Sequence, residues 1–429
     1  MISKVPLSKE IELVFDELFP ICRSITGGGV RESLKILSGI RQIDVFEETS
    51  GKAIYDWEVP EEWTVNSAFI DDEFGNRILD FSWNNLHLVG YSVPFEGWLS
   101  LEELNNHLYS LPELPNAIPY VTSYYKKSWG FCIEHQKRLA LHDCKYFVNV
   151  DTKIQPGSMT WGQIYFPGKS EKEFLFSTYL CHPSMANNEL SGPLIAAFLS
   201  REIQKLSDLK YSYRFVFAPE TVGTINFISK YEKHLSDNLI GGLILSCIGD
   251  GGPYTYKKTF SGTNYIDVAI VNHLKRNQKR KTKVMDYFPW GSDERQYNSP
   301  GLRLPVGCLS RTMYGEYDEY HTSLDSKKLM NFDLMAETIQ DLSSFVESID
   351  KTWLPISNVS KCEPKLDKRN LYRTTSQSRV NYEDLNAIRW VLLLADGKHD
   401  LSMMESRSGL NLTNLIHVAG KLRDLDLIV

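Results

Sequence analysis

Four polar stretches carry the side chains that could do chemistry in this chain. They are His182 in Leu180-Cys181-His182-Pro183, Glu220 in Pro219-Glu220-Thr221-Val222-Gly223, Asp250 in Gly249-Asp250-Gly251-Gly252, and His321 in Glu319-Tyr320-His321-Thr322-Ser323-Leu324-Asp325. The runs before the first three, Phe174–Leu180, Arg214–Ala218 and Leu243–Ile248, are short, apolar and bounded by polar turns, the pattern of buried strands. In open α/β sheets, ligands bind just outside the carboxyl ends of the strands. Two imidazoles and two carboxylates delivered to one such edge are suitable donors for zinc or a similar divalent ion. A coordination position left open would hold a water whose pKa falls to roughly 7. A glutamate not bound to the metal could then take its proton. Each group also has a structural reading: Glu220 as a helix cap, Asp250 as a turn residue, His321 as a surface histidine. Joint placement at successive strand ends favours a site.

Composition narrows the functional classes. With 42% hydrophobic and 24% charged residues and a formal net charge of −7, the chain reads as a globular protein with no general affinity for nucleic acid or membrane surfaces. No apolar run reaches the length of a membrane span, and Met1-Ile-Ser-Lys-Val-Pro lacks a signal-peptide core. The seven cysteines are scattered without a Cys-x-x-Cys pair, which reads as free thiols in the cytoplasm.

The elements that must position these groups follow from periodicity. Residues 8–40 predict two helices around a Gly27-Gly28-Gly29 loop. From about Phe46 to Gly168, short aromatic and β-branched runs punctuated by Pro and Gly predict an antiparallel β domain. From Phe174 to about Ile349 strands and helices alternate: strand Tyr213–Ala218, helix Thr224–Leu235, strand Leu239–Cys247, a hairpin at Tyr254–Phe260, helix Tyr265–Lys275, strand Leu304–Leu309 and a long helix Ser326–Ser348. This layout predicts a mixed or mostly parallel sheet covered on both faces. The expected division is 1–45 with 169–350 as a discontinuous α/β domain, 46–168 as an inserted β-rich domain, 351–378 as a linker and 379–429 as a three-helix, winged-helix-like domain.

The order His182, Asn188, Glu220, Asp250, His321, with Ser191-Gly192 and the stretch His321–Asp325, is similar to that of zinc exopeptidases of the aminopeptidase clan. With Tyr55–Trp63, Pro119–Phe131, Cys181–Gly192 and Gly291–Gln296, the whole chain resembles a bacterial aminopeptidase-like family often found among polysaccharide-biosynthesis genes. The resemblance implies an α/β fold: a zinc-exopeptidase-like mixed sheet flanked by helices, with an inserted β-rich domain and a C-terminal winged-helix-like domain. It implies that His182 binds a first zinc with Asp250 as its carboxylate partner, that Glu220 is the general acid/base, and that His321 serves a second metal. Asp293 would lie in the wall of the site, and Arg295 and Tyr320 near the metal or substrate.

Two positions depart from the clan's pattern. Asn188 stands where a metal-bridging Asp is usual, and Thr221 where a second metal-binding Glu is usual. A neutral amide is a weaker ligand than a carboxylate, so Asn188 would be a weak metal ligand and one Zn²⁺ is expected rather than two; a single site on His182, Asp250 and His321 is also open, with Glu189 available as a substitute carboxylate. The expected function is a zinc-dependent hydrolase of aminopeptidase type, cleaving an amide bond in a peptide or acylated small molecule. The alternative is a catalytically impaired relative that binds a peptide or a glycan precursor.

Secondary features carry less. Arg23, Arg295 and Arg311 could hold a substrate carboxylate; Tyr124, Tyr125 and Trp129 could line a cleft or build a β core; and the basic run Lys275–Lys283 reads as a solvated helix end. From Asn381 onward five basic residues face seven acidic ones, and Leu412–Leu422 carries no Lys or Arg before Lys421. Phosphate neutralisation needs a positive face, so the tail is expected to pack or oligomerise rather than bind DNA. An exposed aromatic β domain would suit a homodimer.

Overall fold

The computed structural model describes residues 5–124, 126–276, 282–352, 354–371 and 382–429. Tyr125, most of the basic run Lys275–Lys283, and residues 353 and 372–378 of the expected linker therefore lie outside the described residues.

The chain opens with the amphipathic helices α1 (Leu7–Leu18) and α2 (Gly28–Ser38). Next come β1 (Asp44–Thr49), the short strands β2 (Ala53–Ile54) and β3 (Trp57–Glu58), β4 (Glu62–Asp72), β5 (Arg77–Asp80) and β6 (Phe95–Ser100). They are followed by α3 (Leu101–Asn105), β7 (Leu108–Tyr109), β8 (Phe131–Cys132), α4 (His135–Leu139), β9 (Lys145–Gln155) and β10 (Ser158–Phe166). Alternation then begins with β11 (Glu173–Tyr179), α5 (Ser191–Ile203), β12 (Ser212–Ala218), α6 (Val222–Asn238), β13 (Leu239–Leu245) and β14 (Tyr254–Lys257). It continues through α7 (Tyr265–Arg276), β15 (Thr282–Met285), α8 (Glu294–Tyr297), β16 (Val306–Ser310) and α9 (Phe332–Lys351). The tail holds α10 (Tyr382–Leu394), α11 (Leu401–Ser408) and α12 (Leu412–Asp424).

One eight-stranded sheet, in the order β1-β10-β12-β11-β13-β16-β14-β15, organises the molecule. Strands β12, β11, β13 and β16 are parallel, while β10 and β14 flank them antiparallel, giving the mixed sheet expected. Every residue of β11 and β12 is buried. Period-2 alternation explains why: Phe174 and Phe176 join the cluster formed with α1, α2, α5 and α9, whereas Leu175 points into the opposite cluster with Phe227 and Leu235 of α6. A strand covered on both faces has no polar side to show, hence its largely apolar sequence.

The β-rich insertion has its own antiparallel sheet, β5-β4-β9-β6, and its own core, which also takes in Val222 and Ile225 from the start of α6. Its expected limits are corrected at both ends. Strands β1 and β10 pair with each other and β10 pairs with β12, so both belong to the large sheet, and the insertion proper lies between Thr49 and Ser158. Two smaller differences have local causes. Tyr254–Lys257 is a single strand paired to β15 and β16, not a hairpin. Helix α9 starts later than Ser326 because Lys327–Leu329 forms a 3₁₀ turn and the Asn331 side chain then caps the helix through Leu334 N.

The tail shows the three expected helices around a core of Val391, Met404, Leu415 and Leu422. It also recruits part of the expected linker: Ile356 bridges Asp396 and Ser357 bridges Ile428. Among the described residues, no helix is long and apolar enough to cross a membrane.

Candidate active site

Because β11 lies between β12 and β13, the loop that follows it occupies the middle of the sheet's carboxyl edge, with the Glu220 loop on one side and the Asp250 loop on the other. After Cys181-His182 the chain turns through Ser184, at a φ of 44°, into a single π-helical turn, Ala186–Leu190, that runs directly into α5. The Asp325 carboxylate holds this turn, accepting from the backbone N of Asn187 at 2.6 Å and of Asn188 at 2.8 Å. Gly192 then lets α5 approach the sheet: a Cβ there would lie 2.2 Å from the Leu245 carbonyl oxygen. Interrupted helix starts of this kind recur at functional sites.

His182 is buried and closely tied. Its Nδ1 lies 2.8 Å from Glu189 Oε2, and its Nε2 is 3.7 Å from Glu220 Oε2. Glu189, wholly buried, also faces Arg23 Nε at 3.5 Å, and the same Arg23 nitrogen donates to the His182 carbonyl at 3.0 Å. Burial opposes charge on the imidazole, but Cys181, Tyr120 and the Glu189 bond outweigh it and push its pKa well above 6.5. A carboxylate on Nδ1 fixes the ring's orientation and leaves Nε2 facing the open side, as in metal-ligating histidines. Glu189 is therefore engaged with His182 and Arg23 rather than swung towards the Asn188 position.

Glu220 sits just past the end of β12. Its backbone N donates to Cys181 Sγ at 3.3 Å, and Ser292 Oγ donates to its Oε1 at 2.8 Å. Thr221 takes a φ of 66° and a ψ of −79°, and Val222 N donates to the Glu220 carbonyl at 2.9 Å. This is the positive-φ γ-turn, a strained conformation that persists only where its surroundings enforce it. Asp293 supplies that enforcement: its Oδ1 accepts from Thr221 N at 2.8 Å and its Oδ2 from Thr224 Oγ1 at 2.7 Å.

The loop bearing Ser292 and Asp293 is anchored from below by a fully buried ion pair, Lys257 Nζ to Glu294 Oε1 at 2.8 Å. Lys257 also stacks on Phe288 at 3.9 Å, and Tyr314 OH donates to the same Glu294 oxygen at 3.2 Å. Neither Lys257 nor Ser292 is singled out by sequence pattern. The only hint is their place within or beside runs that chain order brings to this edge.

Asp293 yields a pH prediction. Burial first, and the Glu220 charge second, push its carboxyl from 3.8 up to about 7. Below about pH 4 it is protonated folded and unfolded; between 4 and 7 only the unfolded chain ionises, so stability falls as pH rises. The full gap is worth roughly 4 kcal/mol at about 1.36 kcal/mol per pH unit. Asp293→Asn is expected to flatten this slope, gaining stability relative to the parent at pH 8 but not at pH 4. Thermal melts across pH measure it, and parallel pH curves for the two proteins would refute it.

Two of the other expected metal ligands, Asp250 and Asn188, turn elsewhere. Asp250 is buried with both oxygens engaged: Oδ1 accepts from Gly252 N and Thr312 Oγ1, Oδ2 from Asn187 Nδ2 and Thr312 N. The Asn188 side chain turns inward, its Oδ1 accepting from Tyr179 OH at 2.8 Å. His321 does approach His182, with ring centroids 5.5 Å apart, and carries a φ of 56°. Its pKa falls to about 3, through burial and then the nearby His182 charge, so its imidazole is neutral. Tyr320 stacks on it at 4.0 Å. The insertion positions it too: Tyr120 N donates to the His321 carbonyl at 2.9 Å, and the Tyr120 ring lies 5.1 Å from His182 and 5.3 Å from His321.

Among the described residues, the His, Cys, Asp and Glu side chains with three ligand atoms all within 4.8 Å are Cys181, His182 and Glu189, a buried group already paired to Arg23. His182, Asp250 and His321 do not meet that spacing. Of the expected set, the imidazoles of His182 and His321 are the donors that lie side by side. Of the remaining candidates, Arg295 Nε donates to the Ser292 carbonyl at 3.0 Å, Arg311 Nη1 to the Gly252 carbonyl at 2.8 Å, and Trp129 stacks on His107 within the insertion core.

Sheet order, the βα turns at its carboxyl edge and the appended helices define an aminopeptidase-like α/β protein with a C-terminal winged helix. The zinc aminopeptidase of Bacillus subtilis shares the fold, with a TM-score of 0.59 at 11% identity over 84% of this chain and 98% of that one. The chain belongs to the family described as a domain of unknown function, DUF4910, which it matches over residues 12–352. Residues 353–429 match a winged helix-turn-helix family, consistent with the strand bridges that tie 356–357 to the tail. A Clostridium acetobutylicum protein, named as a candidate polysaccharide biosynthesis protein with an aminopeptidase-like domain, is 41% identical over 98% of this chain and 96% of its own length. A crystal structure of a candidate peptidase from that species superposes with a TM-score of 0.82 at 40% identity, over 98% of this chain and 96% of that one.

Proposed function

We propose that the protein is a metal-dependent hydrolase of aminopeptidase type, cleaving an amide bond in a peptide or acylated small molecule. The observation that carries this reading is Glu220, held by Ser292 and by the strained turn at Thr221, with one carboxylate oxygen 3.7 Å from His182 Nε2. Zinc, when bound, supplies a Lewis acid and a water acidified to roughly pKa 7. His182 and His321 would hold it. Glu189 keeps the His182 ring aimed, Glu220 takes and returns a proton, and Tyr120 and Tyr320 shield the imidazoles from solvent. Asp250 then serves the loop framework through Asn187 and Thr312, which revises its expected role as ligand.

A second reading is supported by the Asn188 and Thr221 departures and by the engagement of Asp250: a relative that binds a peptide or glycan precursor without hydrolysing it. One experiment separates them. Protein purified without added zinc is expected to carry about one zinc per chain and to turn over aminoacyl anilides, with loss of both on chelation and recovery on zinc addition. Metal-free protein that remains inert across a panel of amino-acid anilides with zinc added would favour the binding protein and discard the hydrolase.

A further inference from the structure

A cavity of about 330 Å³ is walled by the β2–β3 turn, α6 and the segment from Gln296 to Leu302. Its size suits a small ligand. The floor is apolar, formed by Ile225, Ile228 and Leu302, and one wall is aromatic, formed by Tyr55 and Trp57. Two carboxylates, Asp56 and Glu232, stand at its rim, and none of its lining residues is Lys or Arg. The lysines of that helix are engaged elsewhere, Lys230 facing Glu48 at 3.8 Å and the Phe46 ring at 4.5 Å, and Lys233 paired to Asp237 at 2.7 Å.

The aromatic wall is set with care. Ile54 pairs with Trp57, leaving Tyr55-Asp56 as a two-residue turn with Tyr55 at a φ of 52°. Such a turn favours Gly at its first position, so a tyrosine there is strained. Tyr55 is 57% exposed, and its hydroxyl donates to Glu232 Oε2 at 2.5 Å, bridging the turn to α6 and closing the rim. An exposed ring held over an acidic rim attracts a cation through both its face and the carboxylates.

We infer that this cavity binds a small ligand bearing an ammonium group on a body with an apolar face, the ammonium on Glu232 and Asp56 and the body against Trp57 and Tyr55. None of its lining residues is among those assigned to the proposed hydrolase centre, and the inference does not depend on that reading. An amino sugar and an aromatic amine share this chemistry. Calorimetric titration of the full chain with D-glucosamine and with 2-phenylethylamine, each against its neutral counterpart D-glucose or 2-phenylethanol, tests the inference and distinguishes the two sources. Saturable binding of either amine, absent for its counterpart and about tenfold weaker in Glu232→Gln, is the expected result; this variant keeps an acceptor for Tyr55. A second variant, Trp57→Ala, should lose saturable binding. The inference is overturned if neither amine binds, if the neutral counterpart binds equally, or if both variants bind like the parent.

Discussion

Replacing Glu220 by glutamine is expected to slow aminoacyl-anilide turnover about 10²- to 10⁴-fold, the usual contribution of a positioned general base, with little change in KM or melting temperature. The substitution removes basicity and almost nothing else. Glutamine keeps an oxygen to accept from Ser292, the backbone N still donates to Cys181 Sγ, and the side chain, 26% exposed in the parent, does not carry the core. Zinc content should also be unchanged, since the proposed ligands are the two imidazoles. Steady-state kinetics with metal analysis of the same preparation is the measurement. A variant as fast as the parent would remove Glu220 from the mechanism, and loss of zinc would make it a ligand instead of a base.

Lysine 257 to methionine is expected to destabilise the protein by about 3–5 kcal/mol, because removing one partner of a buried ion pair strands the other charge. Both side chains of the Lys257–Glu294 pair are fully buried, so solvent cannot compensate Glu294. The effect should reach the site, since Glu294 follows Ser292 and Asp293, which hold Glu220 and the turn at Thr221. Combining Lys257→Met with Glu294→Leu is expected to restore much of the stability, as apolar replacement of a buried pair is often near neutral. Denaturant or thermal unfolding of the single and double variants tests this. A single variant within about 0.5 kcal/mol of the parent, the range of ordinary surface changes, would show that the pair does not anchor the loop.

Much of the site's location was legible in local sequence. The run Phe174–Leu180 reads as a two-faced buried strand, and β11 is one. His182 and Glu220 then come together because consecutive parallel strands, each followed by a crossover helix, place their carboxyl ends side by side. The family and its winged-helix tail were equally readable, since they rest on motifs and order rather than on geometry. That β1 and β10 join the large sheet was not legible, because Met159–Phe166 mixes Thr160, Gly162 and Gln163 with apolar residues and its pairing to β12 is long-range.

What the sequence by itself determined is the type and order of the elements and which polar residues stand at strand ends, because periodicity and turn chemistry act within a few residues. What only the tertiary structure decided is which of those residues meet. Strand order put β11 between β12 and β13, so Asp250 turns to Asn187 and Thr312 while Glu220 faces His182. The backbone at Asn188 is held by Asp325, 137 residues away, and the aim of His182 is set by Glu189 and Arg23. Lys257 reads locally as a surface lysine beside Lys258; only the pairing of β14 to β16 buries it against Glu294. Contacts of this range depend on strand pairing and loop closure across the whole chain, and no short pattern encodes them.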